Sequence, residues 1–364
     1  MIVKDITNLL EELAPLAYAE DFDNVGLLVG DAKAEVSGVL VTLDTLENVV
    51  EEAIAKNCNL IVSFHPIIFG GLKKITGATY VQRVVIKAIQ HNIAIYSMHT
   101  ALDNSQHGVN AKIGAVLGLT NTQILIPQKG TIKKLTTYVP KASAEQLKEA
   151  LFAAGAGNIS NYSHCSFSVE GTGSFKAGEN ANPKVGDIGK THFEAESQIN
   201  ITFEKAFEHQ IIKALHDNHP YEEVAYEVQT LENYNQNIGI GLVGFLEKEM
   251  NEVDFLAFVK DKMKASCIRH SQFLNKPIKK VAVLGGSGSF AINAAKAVNA
   301  DVFITSDLKY HQFYEAESKM MIADIGHYET EQFTKNLLVE YLTKKIPNFA
   351  IRLSESKTNP IKYF

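Results

Sequence analysis

His65, Asp103, His327 and Glu331 are the residues whose types and surroundings suit metal chemistry. His65 follows the apolar run NLIVSF, and Asp103 closes SMHTALD after NIAIY. Both therefore fall just beyond the carboxyl ends of expected strands, where α/β proteins place their sites. His327 and Glu331 stand four apart in GHYETE at the start of an expected helix, so their side chains leave one face a turn apart. Imidazole nitrogen and carboxylate oxygen are ligands for borderline divalent cations, and a catalytic site of that kind keeps a position open for water. Each residue also has a plainer use: a strand-end hydrogen bonder for His65, a helix-surface pair for His327 and Glu331, a turn or cap for Asp103 before Asn104. Taken singly, none of them indicates a metal. His99, close to Asp103, and His311, in DLKYHQFY, are candidates to line the same pocket in a catalytic or a supporting role.

The elements that must position these residues follow from apolar periodicity. Ile6, Leu9, Leu10 and Leu13 have helical spacing, with Pro15 as a stop. GVLVTLD (38–44), NLIVSFHP (59–66) and NIAIYSMHT (92–100) read as buried strands separated by helices at 48–56 and at VQRVVIKAIQ. Strand alternating with helix predicts an α/β layer. From about 132 to 232 the texture changes: KLTTYVP, the helix SAEQLKEALFAAG, a Gly-rich hairpin region, then QINITF, the helix FEHQIIKALHDN and the strand EEVAYEV. Its character is α+β, and the Asn- and Gly-rich ENYNQNIGIG leads back out. The α/β texture resumes with KKVAVLGGSGS (279–289), INAAKAVNA and DVFITSD (301–307), and MMIADIGHYETEQF places Gly326 at a strand end. The expected organisation is one discontinuous α/β domain, 1–128 and 240–364, split by an insert at 129–239. GGSGS offers either backbone amides to an anion or a tight turn. His219, followed by Pro220, suits a turn as well as a ligand.

Composition narrows the function classes. Hydrophobic residues are 46% and charged residues 21% of 364, ordinary globular usage. The net charge of −6 supplies no basic footprint, which makes nucleic acid an unfavoured partner. Cys58, Cys165 and Cys267 are odd in number and far apart, as expected of thiols in a reducing compartment. The N-terminus MIVKDITNLLEELAP lacks the apolar core of a signal peptide, and no run reaches the ~18 apolar residues of a membrane span. The expected location is the cytoplasm, with no membrane association.

EDFDNVGLLVG, SFHPIIFG, HTALD, HPYEEVAYEV, GGSGS and GHYETE, in this order along nearly the whole chain, resemble the GTP cyclohydrolase 1 type 2 homologue family of Nif-three-like dinuclear metal proteins. The resemblance implies a Nif-three-like α/β domain with an inserted PII/CutA-like α+β domain, and a ring-like homo-oligomer, a hexamer, which the inserts help to close. It implies up to two divalent ions per chain, zinc first with manganese or iron as alternatives. It assigns metal binding to His65, Asp103, His327 and Glu331, with Glu331 as bridge and also steadying the attacking hydroxide. His65 and Asp103 would serve one ion, His327 the other. The chain departs from the family at Phe64, which stands where the first of two adjacent histidines is expected, and a phenyl ring has no lone pair to give. The second position is therefore weakened, and an asymmetric site with His65, Asp103 and Glu331 around the firmer ion is expected. The implied activity is metal-dependent hydrolysis with GTP, or another nucleotide, as substrate. The rival readings are a non-catalytic metal-binding or regulatory protein and a phosphoesterase acting on small nucleotides.

Overall fold

The computed structural model describes residues 1–159 and 161–364. The chain forms two compact units, Met1–Pro127 with Gln236–Phe364, and Gln128–Asn235. The first half of unit one supplies β1 (Gly26–Val29), β2 (Val39–Thr42), β3 (Leu60–Ser63), β4 (Ala94–Ser97) and β5 (Thr120–Gln128). Unit two holds β6 (Ile132–Pro140), β7 (Ser166–Lys176), β8 (Thr191–Glu204) and β9 (Tyr226–Leu231). The return to unit one adds β10 (Asn235–Met250), β11 (Arg269–His270), β12 (Ile278–Ser287), β13 (Val302–Ser306), β14 (Met321–Asp324) and β15 (Ile351–Leu353).

Unit one is built on two sheets rather than the single layer expected. One has the order β1-β4-β3-β2-β15, and the other β11-β14-β13-β12-β10-β5. Each has a parallel centre, β15, β2, β3 and β4 in the first and β12, β13 and β14 in the second. Parallel strands are covered on both faces, so they read as unbroken apolar runs. Alternate residues then go to different cores. Val39, Val41, Leu60 and Val62 share one core with Val281, Val283, Val302 and Ile304 of the other sheet, together with Ile6 and Leu10 of the helix Val3–Leu13. Leu40, Ile61 and Ile95 face the opposite way, onto the helices Glu47–Ala55 and Tyr80–Gln90. The second sheet's outer face, with Ala282, Phe303 and Ile322, packs on the helix Ile292–Ala297. Each fully buried Val, Leu or Ile contributes about 1.5–3 kcal/mol, so the shared core ties the two sheets into one body.

Unit two has a four-stranded antiparallel sheet in the order β7-β8-β6-β9. Helices Ala144–Ala153 and Glu208–Asn218 cover one face through Leu147, Leu151, Ile211 and Leu215 against Leu135, Ile199 and Ile201. Strand, helix, two strands, helix, strand with this order is the ferredoxin-like arrangement. The strand expected at EEVAYEV begins only at Tyr226; Glu222 and Glu223 precede it in a turn. Among the described residues, no helix is long and apolar enough to cross a membrane.

Candidate metal centre

Strand register brings the first group of side chains into line. Thr42, Ser63 and Ser97 are lateral partners at the ends of β2, β3 and β4. Asp44, His65 and His99 each lie two residues further on, so they emerge side by side at the carboxyl edge of the sheet. The strand-end hydroxyls fix this edge: Thr42 Oγ1 donates to Asp44 O at 2.9 Å, Ser63 Oγ to His65 O at 2.9 Å, and Ser97 Oγ to Phe64 O at 2.7 Å. The second sheet contributes Asp307 just after β13, and His327 and Glu331 on the short helix His327–Glu331 after β14. Gly326 caps that helix at φ +100°, and a Cβ there would collide with the Glu329 carboxylate, so glycine is required.

The two histidines converge on one carboxylate oxygen. Nε2 of His65 lies 3.2 Å and Nε2 of His327 3.1 Å from Oε2 of Glu331. These are ion-pair contacts without hydrogen-bond alignment, and Glu331 Oε2 is buried with no hydrogen-bond partner. The far nitrogens are both engaged: Nδ1 of His65 is 2.8 Å from Asp44 Oδ1, and Nδ1 of His327 is 2.6 Å from Asp307 Oδ2. A carboxylate on Nδ1 fixes the ring and leaves Nε2 as the donor atom, the usual support of a metal-bound histidine. One donor atom from each of His65, His327 and Glu331 lies within 4.8 Å of the others. Two imidazoles and one carboxylate on a common point is a donor set suited to one divalent cation.

Electrostatics mark the same place. Burial disfavours charge on both rings, but the carboxylates outweigh it: Asp44 and Glu331 raise the His65 pKa to about 10, and Glu331 and Asp307 raise that of His327 to about 9. Burial also pushes Glu331 up, yet the two imidazoliums bring it down to about 2. Asp103 is buried, and burial first, then the charge of Glu331, raises its pKa well above the ordinary value. Its Oδ1 has no hydrogen-bond partner. A buried, unpaired carboxylate oxygen is costly, and a cation beside it would relieve that cost. The donor set and the two orphaned oxygens therefore fit a divalent ion.

His99 belongs to this neighbourhood. Its ring centroid is 5.4 Å from that of His65, and Asp23 holds its Nδ1 at 2.8 Å. Asp23 also accepts from Thr100 N at 3.0 Å and Thr100 Oγ1 at 2.5 Å; burial opposes its charge, but these partners bring its pKa down to about 2. His99 has φ +26°, a strained value for a residue with a side chain, of the kind found at functional sites. His311 is placed differently. It is exposed, and its ring contacts are with Tyr310 and Tyr314 at 5.2 and 6.2 Å. Nothing in those contacts brings it to His65, His327 or Glu331.

Phe64 is completely buried and belongs to the shared core, with its ring 4.9 Å from that of His65 and 5.6 Å from that of His99. Gly285, Gly286 and Ser287 of the GGSGS segment end β12, and the chain passes through Gly288 into the short helical turn Ser289–Ala291. Gly285 N donates to Asn110 Oδ1 at 3.0 Å and Gly286 N to Thr330 Oγ1 at 2.9 Å, so these amides are engaged internally. At Gly286, φ is +70° and a Cβ would collide with Glu331 Oε1, so this glycine makes room for the shared carboxylate. His219 also serves a turn, bonding Tyr138 O at 3.0 Å and accepting from Tyr221 N at 3.1 Å. Asp44, Asp307 and Asp23 are the supporting residues that sequence reasoning missed. Asp44 and Asp307 each close a strand-like apolar run, which was the available signal; Asp23 lies in the EDFDNVGLLVG motif, whose resemblance was its only signal.

Fold and site together define an α/β protein with imidazole and carboxylate donors gathered at the carboxyl ends of the parallel strands of two mixed sheets. The chain belongs to the Duf34/NIF3 (NGG1p interacting factor 3) family, whose model matches residues 1–360. It is 39% identical over 370 residues to the GTP cyclohydrolase 1 type 2 homolog of Bacillus subtilis, covering 99% of this chain and 98% of that protein. It is 34% identical over 368 residues to the homolog of Staphylococcus epidermidis, covering all of both chains. The crystal structure of a Bacillus cereus protein related to NIF3 superposes with a TM-score of 0.86 at 36% identity, covering 100% of this chain and 99% of that one.

Proposed function

We propose that this chain is a divalent-metal protein of hydrolase type, with one well-held cation on His65, His327 and Glu331 and Asp103 beside it. What supports this most is the approach of two Nε2 atoms to one buried Glu331 oxygen that has no hydrogen bond, each imidazole being backed by its own carboxylate. A bound Zn²⁺, Mn²⁺ or Fe²⁺ would supply Lewis acidity and lower the pKa of water at the open positions. The residues of the chain do the rest. Asp44 and Asp307 orient the rings, Glu331 balances the cation's charge, and the Asp23–His99 pair stands beside the centre to accept or deliver a proton at Nε2. GTP, from the name that relatives carry, is the candidate substrate, and small nucleotide phosphoesters share the same metal requirement.

This assignment regroups the ligands expected from resemblance, in that His327 is placed with His65 on the firm ion. Phe64 favours a second reading, a non-catalytic metal-binding or regulatory protein, because a buried phenyl stands where the second ion would need a donor. The experiment is hydrolysis of GTP and a panel of phosphoesters by metal-loaded protein, by Glu331→Gln and by Asp103→Ala. Turnover that needs metal and falls about 100-fold or more in Glu331→Gln supports the hydrolase reading. Metal binding without turnover of any substrate replaces it with the second.

The same proposal includes a homo-oligomer, by resemblance a hexamer, assembled through a PII/CutA-like unit two. Its sheet order supports this. So does β7, an edge strand on which Phe167 and Val169 are exposed, on the face opposite Ile199 and Ile201. Sedimentation of Phe167→Glu, expected to give smaller species, tests it.

A further inference from the structure

Beyond the ligands, aromatic rings continue outward from the centre to the surface. His65 stands 5.5 Å from His327 and 5.4 Å from His99, His99 stands 6.2 Å edge-on to Phe69, and Phe69 stands 6.5 Å from Phe22. The last two rings are 53% and 67% exposed. Their loops are tied together, since Asn24 Nδ2 donates to Ile68 O at 2.5 Å. Phe69 also lines an open cleft of about 570 Å³ with Lys73, Lys74 and Tyr80. Among the described residues, neither lysine is paired with a carboxylate.

We propose that Phe69, with the Phe22 ring tilted 55° beside it, forms an aromatic stacking platform next to the metal centre, and that with Lys73 and Lys74 on the cleft Phe69 lines it selects small anionic molecules carrying a planar unsaturated ring, nucleotides being the simplest case. The proposal rests on the hydrolase reading for its purpose but not for its test. Exposed phenyl faces next to a polar centre gain from stacking on any planar π-system, whichever base it is. Uncommitted lysines on the same cleft attract phosphate as point charges. The metal ligands then meet whatever bond lies beyond the stacked ring.

Binding of GMP, AMP, ribose 5-phosphate and inorganic phosphate is measured by calorimetry on the full chain, with and without Mn²⁺, alongside metal content and oligomeric state. Wild-type protein is expected to bind GMP and AMP about tenfold more tightly than ribose 5-phosphate. Phe22→Ala and Phe69→Ala should each shrink that advantage severalfold while metal content is unchanged, which also reports that they fold. The Lys73→Ala/Lys74→Ala double variant should weaken all phosphates by a similar factor and leave the ring advantage intact. The platform is overturned if the phenylalanine variants keep the full advantage, or if they change the oligomeric state and so reveal a contact between copies. A wild-type protein that binds no Mn²⁺ contradicts the metal reading alone, because the ring comparison in the metal-free arm still decides the platform.

Discussion

Asp44 and Asp307 lie 21 and 20 residues from the histidines whose Nδ1 atoms they contact, and carboxylates in that position tune a metal-bound imidazole. Asp44→Asn should keep the fold but lower metal affinity by about 10–100-fold, as read by competition with a chromophoric chelator. Acidity gives a second expectation. The His65 and His327 pKa values are raised to about 10 and 9, above their unfolded value of 6.5. Their ion pairs with Glu331, Asp44 and Asp307 therefore stabilise the metal-free protein fully below pH 6.5, and that stability is lost as pH rises through about 9 to 10. Melting temperature of metal-free protein across this range should fall, and His65→Gln should flatten the slope. Metal must displace the same protons, so calorimetry in buffers of different ionisation enthalpy should show about two protons released per ion near neutral pH. Much of this group was legible in the sequence. A histidine just past an apolar strand run and an H-x-x-x-E pair are local signals, whereas a carboxylate backing an imidazole from a neighbouring strand is a consequence of register. His311 had the same local look as His65, but its helical turn carries it to the surface.

The elements were legible where burial imposes a pattern. β2, β3, β4, β12, β13 and β14 each carry a mainly apolar run because both faces are covered there, and each was readable at its place. β15 has three residues and β5 begins with four exposed ones, so neither carried an apolar signature. That the parallel runs belong to two sheets was hidden, since strand pairing is a long-range choice that no local run encodes. Glycine placement shows the same limit. GGSGS reads first as a tight turn and second as an anion cradle, and only Glu331, 45 residues on, shows that Gly286 leaves space for a carboxylate. Gly286→Ala should destabilise the protein by about 1–3 kcal/mol. It should also weaken metal binding as Glu331 is displaced, whereas an alanine at exposed Ser287 should do neither; thermal melts with and without metal distinguish the two.

At the scale of the molecule, the chain leaves unit one from β5 and returns on β10, which are neighbours in the sheet: Gly241 lies against Leu125 and Gly239 against Ile126. Replacing 128–235 by a short hairpin turn should therefore leave unit one folded, with metal affinity within about twofold of the whole chain, since His65, Asp103, His327 and Glu331 all belong to unit one. It should also yield smaller species in sedimentation. His65, His327 and Glu331 are proposed to gather one ion, and Phe64 to deny a second. Metal content of chelator-stripped protein reloaded with Zn²⁺ or Mn²⁺ and passed over a desalting column tests it most directly. One tightly held ion per chain in the wild type, near none in Glu331→Gln and a gain of a second in Phe64→His is the expected result. Two equivalent ions in the wild type, or an undiminished content in Glu331→Gln, would contradict it.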